Sequence, residues 1–137
     1  KTQRTHALDG IAKGLPALMR AYKLSARAAK TGFDWPDAAS AWKKVQEEEK
    51  ELQQAVTASD RDATEEELGD LFFALAVYTR KLDLEPETTL NRANNKFQKR
   101  FEALEARVKA DGKEWKELSL DELENRWQQA KKATERP

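Results

Sequence analysis

The sequence predicts an all-α protein, a bundle of about five helices, on three observations. Val and Ile together number five against 21 Ala and 15 Leu, so strong helix formers dominate. Apolar residues recur every three or four positions through long stretches. The four Pro and five Gly fall mainly between those stretches, where they punctuate rather than interrupt.

The first helix is expected from near Leu15, with Pro16 suited to a first turn, through Leu18, Met19, Tyr22, Ala26 and Ala29 to a stop at Gly32. Gly32-Phe33-Asp34-Trp35-Pro36 then reads as an aromatic-bearing loop, because Pro36 pushes Trp35 away from helical geometry. A second helix, about Asp37 to Ala58, carries Ala38, Ala41, Trp42, Val45, Leu52 and Val56 on one stripe. Ser59-Asp60-Arg61-Asp62 makes the turn, and a third helix, about Ala63 to Leu82, stripes Leu68, Leu71, Leu75, Tyr78 and Leu82. So short a link makes helices two and three antiparallel neighbours. A fourth helix, about Pro86 to Lys109, aligns Leu90, Ala93, Phe97, Phe101, Leu104 and Val108 and closes at Asp111-Gly112. Ser119 followed three residues on by Glu122 is a capping box that opens a fifth helix through Leu123, Trp127 and Ala130.

Composition narrows the function. With 137 residues, the chain reads as one domain over 1–137. The absence of Cys removes disulfides, thiolate zinc sites and Cys nucleophiles, and a single His6 leaves oxygen as the only plentiful metal ligand. Twenty-five basic and 25 acidic side chains cancel, which argues against direct nucleic-acid binding through the phosphate backbone. No apolar run approaches the ~20 residues of a membrane span, and Lys1 to Gly14 lacks the apolar stretch of a signal peptide. The chain therefore reads as cytoplasmic, without membrane association. Its start at Lys1 rather than Met reads as a segment of a longer polypeptide or a trimmed chain. No glycine-rich phosphate loop occurs.

Two acidic runs break the amphipathic pattern, Gln46-Glu47-Glu48-Glu49-Lys50-Glu51 on helix two and Glu65-Glu66-Glu67-Leu68-Gly69-Asp70 on helix three. At about 100° per residue, Glu48 and Glu51 project roughly 60° apart beside the apolar stripe, and Glu67 and Asp70 repeat that arrangement. Antiparallel packing can gather the four carboxylates at the edge of the helix interface. Crowded carboxylates raise one another's pKa unless protons or a cation intervene, and hard oxygen ligands suit Mg²⁺ or, as a substitute, Mn²⁺. The same spacing also fits a solvated helix face, and the helical wheel places Glu49 inside the stripe, so angle alone does not choose between Glu48 and Glu49.

On helix four, Lys96 and Arg100 are four apart and share a face, with Phe97 and Phe101 on the adjacent face toward the core. Guanidinium and ammonium together suit a polyphosphate, against the plainer alternative of a solvated basic face. Trp35 and Trp127 are the tryptophans placed to stack on a base, with core packing as the alternative for each.

At this point the chain resembles the C-terminal catalytic domain of the MazG family of nucleoside triphosphate pyrophosphohydrolases, within the all-α NTP pyrophosphatase superfamily. The resemblance rests on Leu15-Pro16-Ala17-Leu18 with Gly32-Phe33-Asp34-Trp35, on Lys44-Val45 leading into Glu47-Glu48-x-x-Glu51, and on Glu67-Leu68-Gly69-Asp70-Leu71-Phe72-Phe73-Ala74. Ala93-Asn94-x-Lys96-Phe97-x-x-Arg100-Phe101 and Trp127-Gln128-Gln129-x-Lys131 complete it. The family pattern E-E-x-x-E followed by E-x-x-D selects Glu47, Glu48 and Glu51 from the first acidic run. It implies Glu48, Glu51, Glu67 and Asp70 as Mg²⁺ ligands, Glu47 as an accessory catalytic acid, and Lys96 and Arg100 as triphosphate contacts. Lys44, Asn94, Trp127 and Lys131 would be further substrate contacts. Glu49 departs from the pattern, which has an apolar residue there, and is expected to pair with a basic side chain or to sit at an oligomer edge, with an adjustment of metal occupancy as the alternative.

The resemblance further implies a homodimer that completes the helical fold, and a chain corresponding to the second of two tandem modules. Its chemistry would be hydrolysis of nucleoside triphosphates between the α and β phosphates, to monophosphate and pyrophosphate, with a metal-activated water whose proton passes to Glu47 or Glu51. The alternatives are a non-enzymatic helical interaction module and a phosphohydrolase of modified or signalling nucleotides.

Overall fold

The computed structural model describes residues 5–135. These form α1 (Ala17–Ala29), α2 (Ala38–Thr57), α3 (Arg61–Lys81), α4 (Pro86–Ala110) and α5 (Leu120–Ala133), with a single 3-10 turn at Trp115–Glu117 and no strand among the described residues. All five expected helices are present, and the chain divides into two compact units that meet at Thr89 and Leu90.

Helix starts follow the chemistry of their first residues. Asp37 accepts the Ser40 amide at 2.8 Å to cap α2, and Asp60 accepts the Ala63 amide at 3.0 Å to cap α3. Arg61 and Asp62, read from sequence as turn residues, therefore lie inside α3, and the link shrinks to Ala58–Asp60, with Ser59 in the left-handed region at φ 56°. Before α4, the Glu85 carboxylate takes the amides of Glu87 and Thr88 at 3.0 and 2.8 Å, and Pro86, which has no amide to satisfy, begins the helix. The capping box of α5 is formed in both directions, the Glu122 amide donating to Ser119 Oγ at 3.1 Å and the Ser119 amide to Glu122 Oε1 at 3.0 Å.

In the first unit α2 and α3 make the most extensive contact, and α1 packs on α3. The register is antiparallel: the rings of Trp42, early in α2, and Tyr78, late in α3, stand 5.0 Å apart, while further along Glu48 meets Asp70. What the helices bury differs from the expected stripes. The buried residues are small, Ala41, Val45 and Ala55 on α2 and Ala74, Ala76 and Val77 on α3. Trp42, Val56, Leu68, Leu75 and Leu82, placed by sequence on the core faces, remain substantially exposed, as do Phe72 and Phe73. Alanine lets two helix backbones approach closely, so the bulky side chains are displaced to the flanks. Small residues at the seam also leave space in which an acidic side chain fits between the helices.

The second unit has its own core of Leu104, Val108, Leu118 and Ala130, with Leu123 and Trp127 packed against it. Phe97 and Phe101 are not core residues; they belong to a partly exposed aromatic ladder in which Phe97 lies 5.6 Å from Trp127 and 6.1 Å from Phe101, and Phe101 stacks on Trp115 at 5.4 Å. The 3-10 turn that carries Trp115 was not foreseen. Its presence gives Phe101 a flat partner of its own and draws it out of the core. No helix among the described residues is long and apolar enough to cross a membrane.

Candidate metal centre

The inward face of α2 runs through buried Ala41, Val45, Glu48 and Ala55 with half-buried Leu52 among them, a spacing of four and three that keeps one face toward α3. Glu48 thus occupies a core position and is only 5% exposed, whereas Glu49 points to solvent and makes no ion pair among the described residues. The expected basic partner of Glu49 is therefore not found. Glu48 is the acid of its run that faces inward, which the wheel alone left undecided.

A carboxylate buried this deeply needs compensation. Lys44, one turn earlier, donates from Nζ to Glu48 Oε1 at 2.9 Å and stands 3.6 Å from Glu47. The hydrogen bond to Glu48 raises the Lys44 pKa, against a smaller opposing effect of burial, so the ammonium is held charged. The other oxygen, Glu48 Oε2, is buried and has no partner, and neither has Glu67 Oε2 across the interface. One oxygen from each of Glu48, Glu67 and Asp70 falls within 4.8 Å of the others.

Glu51 joins this group at hydrogen-bonding reach of Glu67. The Glu67 carboxyl is pushed above the ordinary range, first by partial burial, then by the Glu51 side chain and by the charges of Asp70 and Glu48. Three of the four carboxylates of the two acid-x-x-acid pairs thus converge, and the fourth, Glu51, adjoins them at Glu67. Two orphaned buried oxygens, an all-oxygen donor set and mutual repulsion are together the signature of a site that fits a hard divalent cation, since such an ion removes all three penalties at once. Glu47 stands apart from this group, exposed on the solvent side of α2 beside Lys44.

The basic candidates lie in the second unit. Lys96 is exposed on α4, and Arg100, one turn on, is half-buried with its Nε lacking any partner. Asn94 is exposed and donates to Asn91 at 3.4 Å; Trp127 is half-buried on α5 against Phe97, and Lys131 lies one turn further along α5.

Beside the carboxylates the first unit holds a groove of about 770 Å³, within the size range of small-molecule sites. Lys44, Glu48 and Asp70 line one part of it, and Phe33, Trp35, Phe73 and Val77 line another. In the sequence Asp34 stands out only within the Gly32-Phe33-Asp34-Trp35 motif, and nothing marks Arg80. Arg80 Nη2 donates to Asp34 Oδ1 at 2.6 Å, Lys81 Nζ reaches Asp34 Oδ2 at 3.1 Å, and Arg80 Nε donates to Ser25 Oγ at 3.0 Å. The Arg80 hydrogen bond, opposed by burial and assisted by Lys81 and the Trp35 amide, lowers the Asp34 pKa to about 2. No local spacing announces a pair 46 residues apart, so nothing short of the fold could have found it.

Comparison with known proteins places this geometry in context. Residues 37–104, which include α2, α3 and all four clustered acids, match the MazG nucleotide pyrophosphohydrolase domain. The chain is 43% identical over 130 residues to the nucleoside triphosphate pyrophosphohydrolase of Escherichia coli K12, covering 92% of this chain and 49% of that protein. It is 38% identical over 117 residues to the nucleoside triphosphate pyrophosphohydrolase/pyrophosphatase MazG of Thermotoga maritima, covering 85% of this chain and 45% of that protein. A shorter similarity, 39% over 70 residues, links it to the uncharacterized protein YabN of Bacillus subtilis. The chain thus spans about half the length of the first two relatives. With its acid-lined helix pair lying within the matched segment, the chain belongs to the MazG nucleotide pyrophosphohydrolase domain family.

Proposed function

We propose that this chain is a Mg²⁺-dependent nucleoside triphosphate pyrophosphohydrolase that cleaves between the α and β phosphates, releasing a nucleoside monophosphate and pyrophosphate. The observation that carries the reading is the meeting of Glu48, Glu67 and Asp70 oxygens within 4.8 Å, two of the three residues holding a buried oxygen without a partner. Family membership supports the choice of substrate, as do the named activities of the relatives in Escherichia coli and Thermotoga maritima.

Glu48, Glu51, Glu67 and Asp70 would hold the ion, with Mn²⁺ as a possible replacement because the donors are all carboxylate oxygens. Bound there, Mg²⁺ supplies neutralisation of phosphate charge and acidification of water. Lys44 pairs with one oxygen of Glu48 and leaves its second oxygen free for ligation. Glu47 or Glu51 accepts the proton of the attacking water as it adds to the α phosphorus; the bond to the bridging oxygen breaks and pyrophosphate departs. Lys96 and Arg100, one turn apart on α4, are assigned to the triphosphate, where fixed positive charge counts most as the leaving group gains negative charge. Asn94, Trp127 and Lys131 are assigned to further substrate contacts.

A second copy of the chain is the proposed partner. On α3, Leu68, Phe72, Leu75 and Leu82 lie in one exposed apolar band about 80° wide, its nearer edge about 60° round the helix from Glu67 and about 120° from Asp70. A band of this kind in water is a surface for association, and a homodimer would bury it. Light scattering during size-exclusion chromatography should give twice the chain mass, falling to the single-chain mass in Phe72→Glu.

The activity is tested by incubating the chain with each common ribo- and deoxyribonucleoside triphosphate, with Mg²⁺ or with chelator, and reading products by phosphorus NMR. Monophosphate and pyrophosphate formed only with Mg²⁺ are expected. Diphosphate and orthophosphate would overturn the bond specificity, and turnover in chelator would overturn the metal requirement.

A further inference from the structure

Phe33 is 81% exposed, yet the loop that carries it is tightly held. Gly32 turns the chain at φ +103°, a value that suits glycine and little else. Two residues later Asp34 receives Arg80 and Lys81, cations that are themselves largely shielded, with side chains 13% and 17% exposed. Arg80 is fixed in turn by Ser25, whose hydroxyl donates to the Tyr22 carbonyl at 3.1 Å, so α1, the loop and the end of α3 are joined by one network. The guanidinium fork and the ammonium occupy both oxygens of Asp34.

Such a latch does not serve to bury the loop's aromatics, because Phe33 is left in water and Trp35 is 39% exposed. It holds them at the wall of the groove whose other lining includes Glu48 and Asp70. A nucleoside triphosphate has this same division: a flat apolar base at one end, and at the other an anionic chain that needs a cation.

Resting on the functional reading above, we infer that the aromatic wall of this groove is the nucleoside subsite, with Phe33 and Trp35 offering faces to the base and the Arg80–Asp34 ion pair positioning their loop. Phe73 and Val77 supply apolar contact on the α3 side. The mobility that would otherwise have to be lost on binding is already removed by the latch, so stacking is retained as affinity. Alanine replacement at a stacking aromatic typically costs about 1–3 kcal/mol, or about fivefold to 150-fold in affinity.

The test is calorimetric binding, in Mg²⁺, of α,β-methylene triphosphates of adenosine, guanosine, cytidine and uridine, alongside inorganic tripolyphosphate, which has no base. Wild type, Phe33→Ala, Asp34→Asn and Asp34→Glu are compared. Phe33→Ala is expected to weaken nucleotide binding about tenfold or more and to leave tripolyphosphate unchanged. Asp34→Asn should weaken nucleotides several-fold, again sparing tripolyphosphate, with partial recovery in Asp34→Glu. A merely structural role would lower both ligand classes together, and that result overturns the assignment. So does wild-type nucleotide affinity in Phe33→Ala, or wild-type protein that binds tripolyphosphate as tightly as any nucleotide; in both cases the carboxylate site stands. If the wild type binds neither ligand class, the functional reading itself fails and the subsite with it.

Discussion

Replacing Asp70 by Asn separates two effects that a loss of activity would merge. Asp70 is exposed and makes no ion pair among the described residues, while its carboxylate approaches those of Glu48 and Glu67. At a separation of at most 4.8 Å, its repulsion with Glu48 is at least about 0.9 kcal/mol at the dielectric of water and at least about 3.5 at an effective value near 20. Solvent around Asp70 favours the lower end, about 1 kcal/mol, which in a chain of this size raises the melting temperature by about 4 °C. In chelator at pH 7 Asp70→Asn should therefore melt above wild type. With Mg²⁺ at a hundred times its dissociation constant, wild type gains about 2.7 kcal/mol, or about 10 °C, and the variant loses most of that gain. The assay is differential scanning calorimetry with Mg²⁺ or with chelator. A wild-type transition that ignores Mg²⁺, or an equal Mg²⁺ shift in the variant, would refute the carboxylate site as a metal centre.

Glu48→Gln should lower pyrophosphate release more than about a hundredfold, since the charge stabilisation lost with the metal is worth several kcal/mol, while far-UV circular dichroism stays helical. Ser119→Ala removes one half of the α5 capping box and should cost about 1 kcal/mol in urea unfolding, with turnover per folded molecule unchanged. The Asp34 carboxyl titrates near 2 when folded and near 3.8 in a free chain, so its contribution is complete above about pH 4 and is lost as pH falls toward 2. The shift corresponds to at most about 2 kcal/mol, reduced by solvent at this partly exposed pair to about 1. Urea midpoints between pH 5 and 2 should fall more steeply in wild type than in Asp34→Asn; parallel curves would count against the latch as a stabilising contact.

The sequence announced the helices because their signals are local. Asp37, Asp60 and Ser119 each sit within a few residues of the amides they cap, and apolar spacing needs no knowledge of distant chain. The stripes went wrong where size mattered more than hydrophobicity: a wheel ranks Leu68 and Leu75 as core, whereas the helices meet through Ala41, Ala74 and Val77. The four acids were found by spacing plus resemblance. That Glu48 rather than Glu49 faces inward follows from the phase of Ala41, Val45 and Ala55, visible once those small residues are taken as the packing face. Arg80 with Asp34 was illegible, because a long-range ion pair leaves no periodic trace, and the groove they help to wall exists only after α1, the loop and α3 are assembled.

Local charge gives the strongest physical reason for treating the acids as a cation site and not as a solvated face. Glu48, Glu51, Glu67 and Asp70 bring four negative charges, and Lys44 returns one positive, leaving three negative charges around a partly buried seam. A second lysine could satisfy an exposed face through solvent-screened pairing, yet none among the described residues reaches these acids. Protonation offers partial relief, and the raised Glu67 pKa marks where a proton would go first, but it leaves the Glu48 Oε2 orphan in place. A divalent ion brings the sum from −3 to −1 and supplies both orphaned oxygens with a partner. Raising pH should therefore tighten Mg²⁺ binding by deprotonating Glu67, with proton release on binding measurable by calorimetry in buffers of different ionisation enthalpy. Binding that does not weaken as pH falls into the carboxylate titration range, with no proton released there, would show that Glu67 is not part of the coordination set.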